Sequence, residues 1–158
     1  MTTRKYESGR SLVEMVGVLA LMGLLTAAAF LLVRSGMMAQ KVSRTADEIN
    51  TLVANVRAIA AEKGDFSVLP DCQDEDESAG ASLAAAILDS EDNSEAPAAI
   101  GGSYSLCSYD DDGDGVFEEF LVYIYDMNSY DCEMMESRAF SGGTAECSGT
   151  SLEIRYTK

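Results

Sequence analysis

Asp110, Asp112 and Asp114 stand at alternate positions with Gly115 directly after them, so the stretch Asp110 to Glu119 opens with the D-x-D-x-D-G spacing of a calcium loop. Calcium takes about six to eight oxygen ligands. Three carboxylates and the Val116 carbonyl supply roughly half of them, and Glu118 or Glu119 together with water would supply the remainder. Leu121 stands where the loop's last, bidentate acid belongs, so the segment is not a complete EF-hand. The competing reading is a polar hairpin turn, because Asp-Gly suits backbone positions with positive φ.

A second chemically pointed position is Glu14, directly before nineteen residues, Met15 to Val33, that carry no charge. An α-helix needs about 20 apolar residues to cross a hydrocarbon core of about 30 Å. A carboxylate beside lipid costs roughly 2.5 kcal/mol or more unless it sits near the interface or meets a cation. Away from the interface, something should neutralise it.

Four cysteines, Cys72, Cys107, Cys132 and Cys147, lie beyond the apolar stretch, and none forms a C-x-x-C pair. With no histidine in the chain, a zinc site is not expected. An even cysteine count in a small exported domain reads as two disulfides with three possible connectivities. Cys132 to Cys147 is the preferred bond, since it closes Ser141-Gly142-Gly143 into a loop of about 15 residues, worth roughly 3 kcal/mol in the chain-entropy model. Cys72 to Cys107 follows by exclusion. Free thiols in a reducing compartment are the alternative.

The elements that must position these groups divide by charge and period. At 158 residues the chain has room for one domain beyond the apolar segment. From Asp65 onward there are 22 acidic residues and three basic ones, Arg138, Arg155 and Lys158, a formal charge of −19, whereas the first 64 residues carry +3. So acidic a domain excludes nucleic acid as its partner and favours cations and basic surfaces. Beyond Val33 the apolar residues change period. Met38, Val42, Thr45, Ile49, Leu52, Val56 and Ile59 recur every three or four positions, which describes an amphipathic helix. No proline interrupts Arg10 to Lys63, so one helix, near 80 Å long at about 1.5 Å per residue, is expected to end at Gly64.

After it, Asp71 to Gly80 reads as a loop, Ser82 to Leu88 as a short helix, and Asp89 to Pro97 as an acidic loop. Strands follow at Ser103 to Tyr109, at Val116 to Tyr125 with Phe120, Val122 and Ile124 on one side, and at Leu152 to Tyr156. An α+β fold is expected, with a long N-terminal helix packed on a small antiparallel sheet.

The short basic leader ending in Gly9, the pentad Arg10-Ser11-Leu12-Val13-Glu14 and the apolar run behind it resemble the N-terminal processing signal of type IV pilins and type II secretion pseudopilins. The resemblance covers roughly Arg4 to Lys63. It implies that a dedicated peptidase on the cytoplasmic face cuts between Gly9 and Arg10 and methylates the new N-terminus at Arg10. Arg10 itself departs from the Phe, Met or Leu that most members carry there. Glu14 would pair with the N-terminal amine of a neighbouring subunit, which supplies the missing cation. Residues 1–9 would then be the leader, 10–33 the transmembrane and polymerisation helix, 34–64 its amphipathic half, and 65–158 the acidic globular domain with two disulfides. Some pseudopilins bind calcium in their β region, which lends weight to the acidic turn.

Two plainer readings compete for the N-terminus. An ordinary secretory signal would place cleavage at Ala27-Ala28-Ala29; a signal anchor would tether the domain with Arg4 and Lys5 on the cytoplasmic side. An enzyme is not expected: there is no histidine to act as general base, no G-x-S-x-G elbow and no glycine-rich phosphate loop. Expected partners are other pilin-like subunits, the prepilin peptidase, an inner-membrane assembly platform and the membrane. The expected location is the bacterial inner membrane, with the C-terminal domain periplasmic, and then a filament. The alternative is a membrane-anchored calcium-binding module that does not polymerise.

Overall fold

The computed structural model describes residues 12–73, 77–91, 94–110, 114–138 and 140–158. Gly9, Arg10 and Asp112 lie outside them. The chain divides after Ala39 into two units, the second being Gln40–Lys158. Helix α1 (Leu12–Lys63) carries residues of both.

In the first unit α1 is apolar all round from Met15 to Val33, and its large side chains are exposed, Leu24 by 70% and Leu25 by 71%. Its most apolar window has a mean hydropathy of 2.5, long and apolar enough to cross a membrane. In the second unit the apolar residues narrow to a stripe. Val42, Thr45, Ile49, Leu52, Val53, Val56 and Ala60 are buried, following the 3.6-residue period. The expected stripe ended one residue early, because Ile59 is 42% exposed and Ala60 takes its place. Met38 is half-buried. The helix stops at Gly64, whose φ of 91° only glycine adopts cheaply and whose N–H closes the last turn on the Ala60 carbonyl at 2.7 Å.

Five antiparallel strands form one sheet in the order β1-β2-β3-β5-β4: β1 (Ala96–Pro97), β2 (Ser103–Tyr109), β3 (Glu119–Tyr125), β4 (Gly143–Ser148) and β5 (Ser151–Thr157). Register aligns three rows of side chains across the sheet. Tyr104 meets Ile124 and Leu152; Leu106 meets Val122 and Ile154; Ser108 meets Phe120 and Tyr156. All nine are buried, and with the α1 stripe their apolar members make one core. Phe66, Phe120 and Tyr156 stack successively, at centroid distances of 4.7 and 5.0 Å.

Polar groups fix how α1 sits on this sheet. The Thr45 hydroxyl accepts the Ile100 N–H at 3.0 Å, and Glu48 Oε2 accepts the Ala99 N–H at 3.2 Å and the Tyr104 hydroxyl at 3.0 Å. Burial, with Glu48 alongside, pushes the Tyr104 hydroxyl far above its usual range.

Helix α2 (Glu77–Leu88) lies against β2 and begins earlier than the expected Ser82, so the end of the expected loop is its first turn. A Cβ on Gly80 would collide with the Leu106 carbonyl, so only glycine lets the helix come this close. Beyond it, Ser108 donates to the Pro70 carbonyl at 2.8 Å and accepts from the Cys72 N–H at 2.9 Å. Residues 70–72 and α2 together occupy the flank of β2 that the two-residue β1 leaves unpaired.

Helix α3 (Ser129–Glu136), β1 and β4 were not expected. Asn128 caps α3, its side-chain oxygen accepting the Tyr130 N–H at 3.0 Å. β4 and β5 are joined across Gly149 and Thr150, with Gly149 at φ 66° as the first turn position requires. β3 begins at Glu119, so Val116 to Glu118, read as the start of the strand, belong to the preceding turn.

Candidate functional site

Three groups of residues carry the functional expectations. At the first, Glu14 is exposed within the first turn of α1, followed by the uncharged face-all-round segment that ends at Val33. The cleavage pair Gly9 and Arg10 precedes the described residues. The helix after Glu14 contains Gly17 and Gly23, where an added Cβ would meet no other part of the chain within 4 Å, and Thr26, whose hydroxyl returns to the Met22 carbonyl at 2.8 Å. The one hydroxyl between Met15 and Val33 is thereby satisfied inside the helix, as a low-dielectric surrounding would demand.

The second group is the turn between β2 and β3. Asp110 Oδ2 accepts the Gly115 N–H at 2.9 Å and Asp114 Oδ1 accepts the Val116 N–H at 2.8 Å. These bonds, with Gly115 at φ 84°, close the turn. Asp112, the central member of the triplet, lies outside the described residues. Glu118 is exposed, and its carbonyl accepts the Lys158 N–H at 3.0 Å. Glu119 is drawn the other way. Its carboxylate pairs with Arg155 at 3.3 Å on the sheet face opposite α1, where Arg155 also meets Glu153 at 3.2 Å. Glu153 first, and then Glu119, hold the Arg155 guanidinium above its usual range. Among the described residues no three acidic side chains gather into a metal-holding group. Of the two carboxylates offered as a fifth ligand, Glu118 is the one not already committed to an ion pair among the described residues.

The third group is the cysteines. Cys72–Cys107 and Cys132–Cys147 are both bonded, with Cα separations of 5.0 and 5.8 Å. The first pins residues 70–72 to β2, and the second ties α3 to β4. Cys132 is fully buried.

One feature had no signal in the sequence. Beside the end of α1, Arg57, Ala60, Ala61, Asp65, Phe66 and Lys158 line a cavity of about 410 Å³. Arg57 lies over the Tyr156 ring at 5.8 Å, and Lys158 Nζ donates to the Gly64 carbonyl at 2.6 Å. Burial pushes the Tyr156 hydroxyl up to about 12, with Arg57 pulling the other way. Asp65 accepts from the Ser67 hydroxyl at 2.7 Å and its N–H at 3.1 Å, which holds its carboxyl below the usual range. Only the fold brings Lys158 to Arg57.

Comparison of the chain with protein-family models, with characterised proteins and with solved structures found no match.

Proposed function

We propose that this chain is a structural subunit, a pilin or pseudopilin, of a type IV pilus-like or type II secretion pseudopilus filament. The observation that carries the reading is Glu14 at the head of the uncharged, fully exposed segment Met15–Val33, on a helix whose later residues bury a stripe on the antiparallel sheet. An exposed apolar helix of this length needs an apolar surrounding. In this reading it has two in succession: the inner membrane, and then a bundle of identical helices at the core of the fibre.

Moving from lipid to bundle keeps the apolar surface dry. Glu14 sets the axial offset, because only one register brings the neighbour's N-terminal amine to it and avoids a buried, unpaired charge. The peptidase cuts after Gly9 and methylates Arg10, and the assembly platform draws the mature subunit out of the membrane. The acidic domain would stand on the periplasmic side, where both disulfides persist. Nothing in this role asks for catalysis.

The D-x-D-x-D-G spacing favours a second reading, a membrane-anchored domain that binds calcium through Asp110, Asp112, Asp114, the Val116 carbonyl and Glu118 without polymerising. Mass spectrometry of the N-terminus, with electron microscopy of sheared surface material, separates the two. Cleavage between Gly9 and Arg10 together with fibres supports the subunit. An intact Met1 terminus, or one at Phe30, on exported protein overturns it.

A further inference from the structure

The cationic cavity at the end of α1 is anomalous in so acidic a domain. Arg57 and Lys158 stand at its rim, and neither forms an ion pair among the described residues. Its walls are Ala60 and Ala61, small enough to leave room, and Phe66; Asp65, the carboxylate of the lining, is turned to the Ser67 hydroxyl and N–H, which leaves two cations against one engaged acid. Such a site takes an apolar or aromatic group that carries a negative charge beside it.

The same chain carries such a group. On α3, Tyr130 is 67% exposed, the most exposed aromatic residue of the second unit among the described residues. Glu133, three residues on and therefore on the same helical face, is exposed too, and Glu136 follows it. A tyrosine flanked by carboxylates is complementary in charge to a small-residue cavity with two cations at its rim.

The two features cannot meet within one molecule. Lys158 N–H bonds the Glu118 carbonyl, just beyond the Glu119–Thr157 pair of β3 and β5. Met127 N–H, just before α3, bonds the Thr150 carbonyl, just beyond the Ile124–Leu152 pair. Six paired residues separate those ends, about 17 Å of strand at roughly 3.4 Å per residue. Knob and cavity therefore lie at opposite ends of the sheet. A patch that fits a different patch on an identical copy makes a head-to-tail contact, which propagates into an open helical array unless the rotation closes a ring.

We propose that the Arg57–Lys158 cavity receives Tyr130 and Glu133 from α3 of a second copy of this chain, as the head-to-tail contact between globular units. The contact rests on the filament reading and deepens it, because it supplies a join between acidic domains that would otherwise repel. Within it the Tyr130 ring lies against the exposed Ala61, and the Glu133 carboxylate faces the Arg57 guanidinium and the Lys158 ammonium.

The test uses the full chain in its producing cells, with a photo-cross-linking side chain in place of Ala61, read separately on membranes and on sheared fibres. The expected product is a dimer in which residue 61 is joined to residues 129–137 of the other copy. Arg57→Glu should lower its yield about tenfold or more, and Glu133→Lys in the same chain should restore it. Lys158→Glu, which leaves the Arg57–Tyr156 contact in place, should lower the yield in the same way and guards against a folding defect in the first variant. Cross-linking to residues 129–137 in membranes that yield no fibres keeps the contact and removes the filament. Fibres in which residue 61 is joined elsewhere, or to nothing, keep the filament and overturn the contact. Neither fibres nor this dimer overturns both.

Discussion

Residues 12–33 and residues 40–63 belong to one helix and are both rich in large apolar side chains, yet Leu24 is 70% exposed and Ile49 is completely buried. Charge and period both separate them: Met15 to Val33 carry no charge, whereas Lys41, Arg44, Asp47, Glu48, Arg57, Glu62 and Lys63 break up the apolar residues of the second stretch. The first stretch is apolar on every side, so no single sheet face could cover it, whereas the second confines its apolar residues to a stripe that one face covers. The first therefore requires a surrounding apolar medium and the second only an intramolecular partner. Glu14 belongs to the first stretch, and its need for a cation is of the same kind: nothing within the described chain meets it.

The largest effect that would sharpen this contrast is loss of polymer from a single charge. Glu14→Val removes a polar group from the span, so membrane insertion should be intact or improved, while fibres should disappear because the neighbour's amine loses its counter-charge. Fractionation and electron microscopy read both at once. Normal fibre numbers from this variant would break the register role.

Next in size is a pair of truncations. Ile49→Ala, in the buried stretch, should destabilise the second unit by about 2–5 kcal/mol, read by denaturant unfolding of the full chain in detergent micelles. Leu24→Ala, in the exposed stretch, should shift the same transition by no more than about 0.5 kcal/mol. Equal losses would mean that residues 12–33 also pack intramolecularly.

Alkaline pH should act on the second unit alone. The Tyr104, Tyr123 and Tyr156 hydroxyls are all raised, by burial first, with Glu48 and Glu153 adding to the first two. A phenol raised in the folded state holds its proton more tightly there than in the unfolded chain. Its contribution to stability is complete below the ordinary value of 10.0 and falls as pH rises toward the folded values, about 12 for Tyr156. Unfolding followed at stepwise pH, with phenolate absorbance in parallel, should show stability dropping from about pH 10 upward. A flat profile would contradict the burial of these rings.

The smallest expected effect is that of calcium. At an affinity on the order of 10⁻⁴ M, typical of extracellular modules, a tenfold excess of ion would add about 1.4 kcal/mol. The melting temperature of the second unit should rise slightly, and Asp112→Ala should abolish the rise. If millimolar calcium changes nothing, the turn is a solvated hairpin held by Asp110 and Asp114 on their own backbone amides.

Local signals made much of this fold legible. The helix stop at Gly64, the whole of β2 and the buried row of Phe120, Val122 and Ile124 follow from short-range pattern, and two disulfides from cysteine count, the preferred one of three pairings being the one found. What escaped depends on partners distant in sequence. β4 is Gly-Thr-Ala-Glu-Cys-Ser, with little strand preference of its own, and becomes a strand because β5 pairs with it; a Cβ on Gly143 would strike the Tyr156 ring. β1 contains a proline and pairs at only two positions. α3 has 8 residues and buries only Cys132 and Met135, too short a pattern to show a helical period in the sequence. Of the candidate sites, Glu14 and the acidic turn were visible as motifs. The cavity was not, because Arg57 and Lys158 are joined only by the folded core.

The two disulfides have a consequence for when the domain becomes rigid. Cys107 fastens the 70–72 segment along β2, and Cys147 fastens α3 to β4, the last strand at the other side of the sheet. Both flanks are thus stapled by bonds that cannot persist among cytoplasmic thiols. In the proposed reading, a chain still inside the cell would lack these staples, and oxidation after export would add them. The redox boundary would then act as a clock: the sheet's margins would close only after the domain had crossed, so a newly made chain would stay looser than the oxidised one.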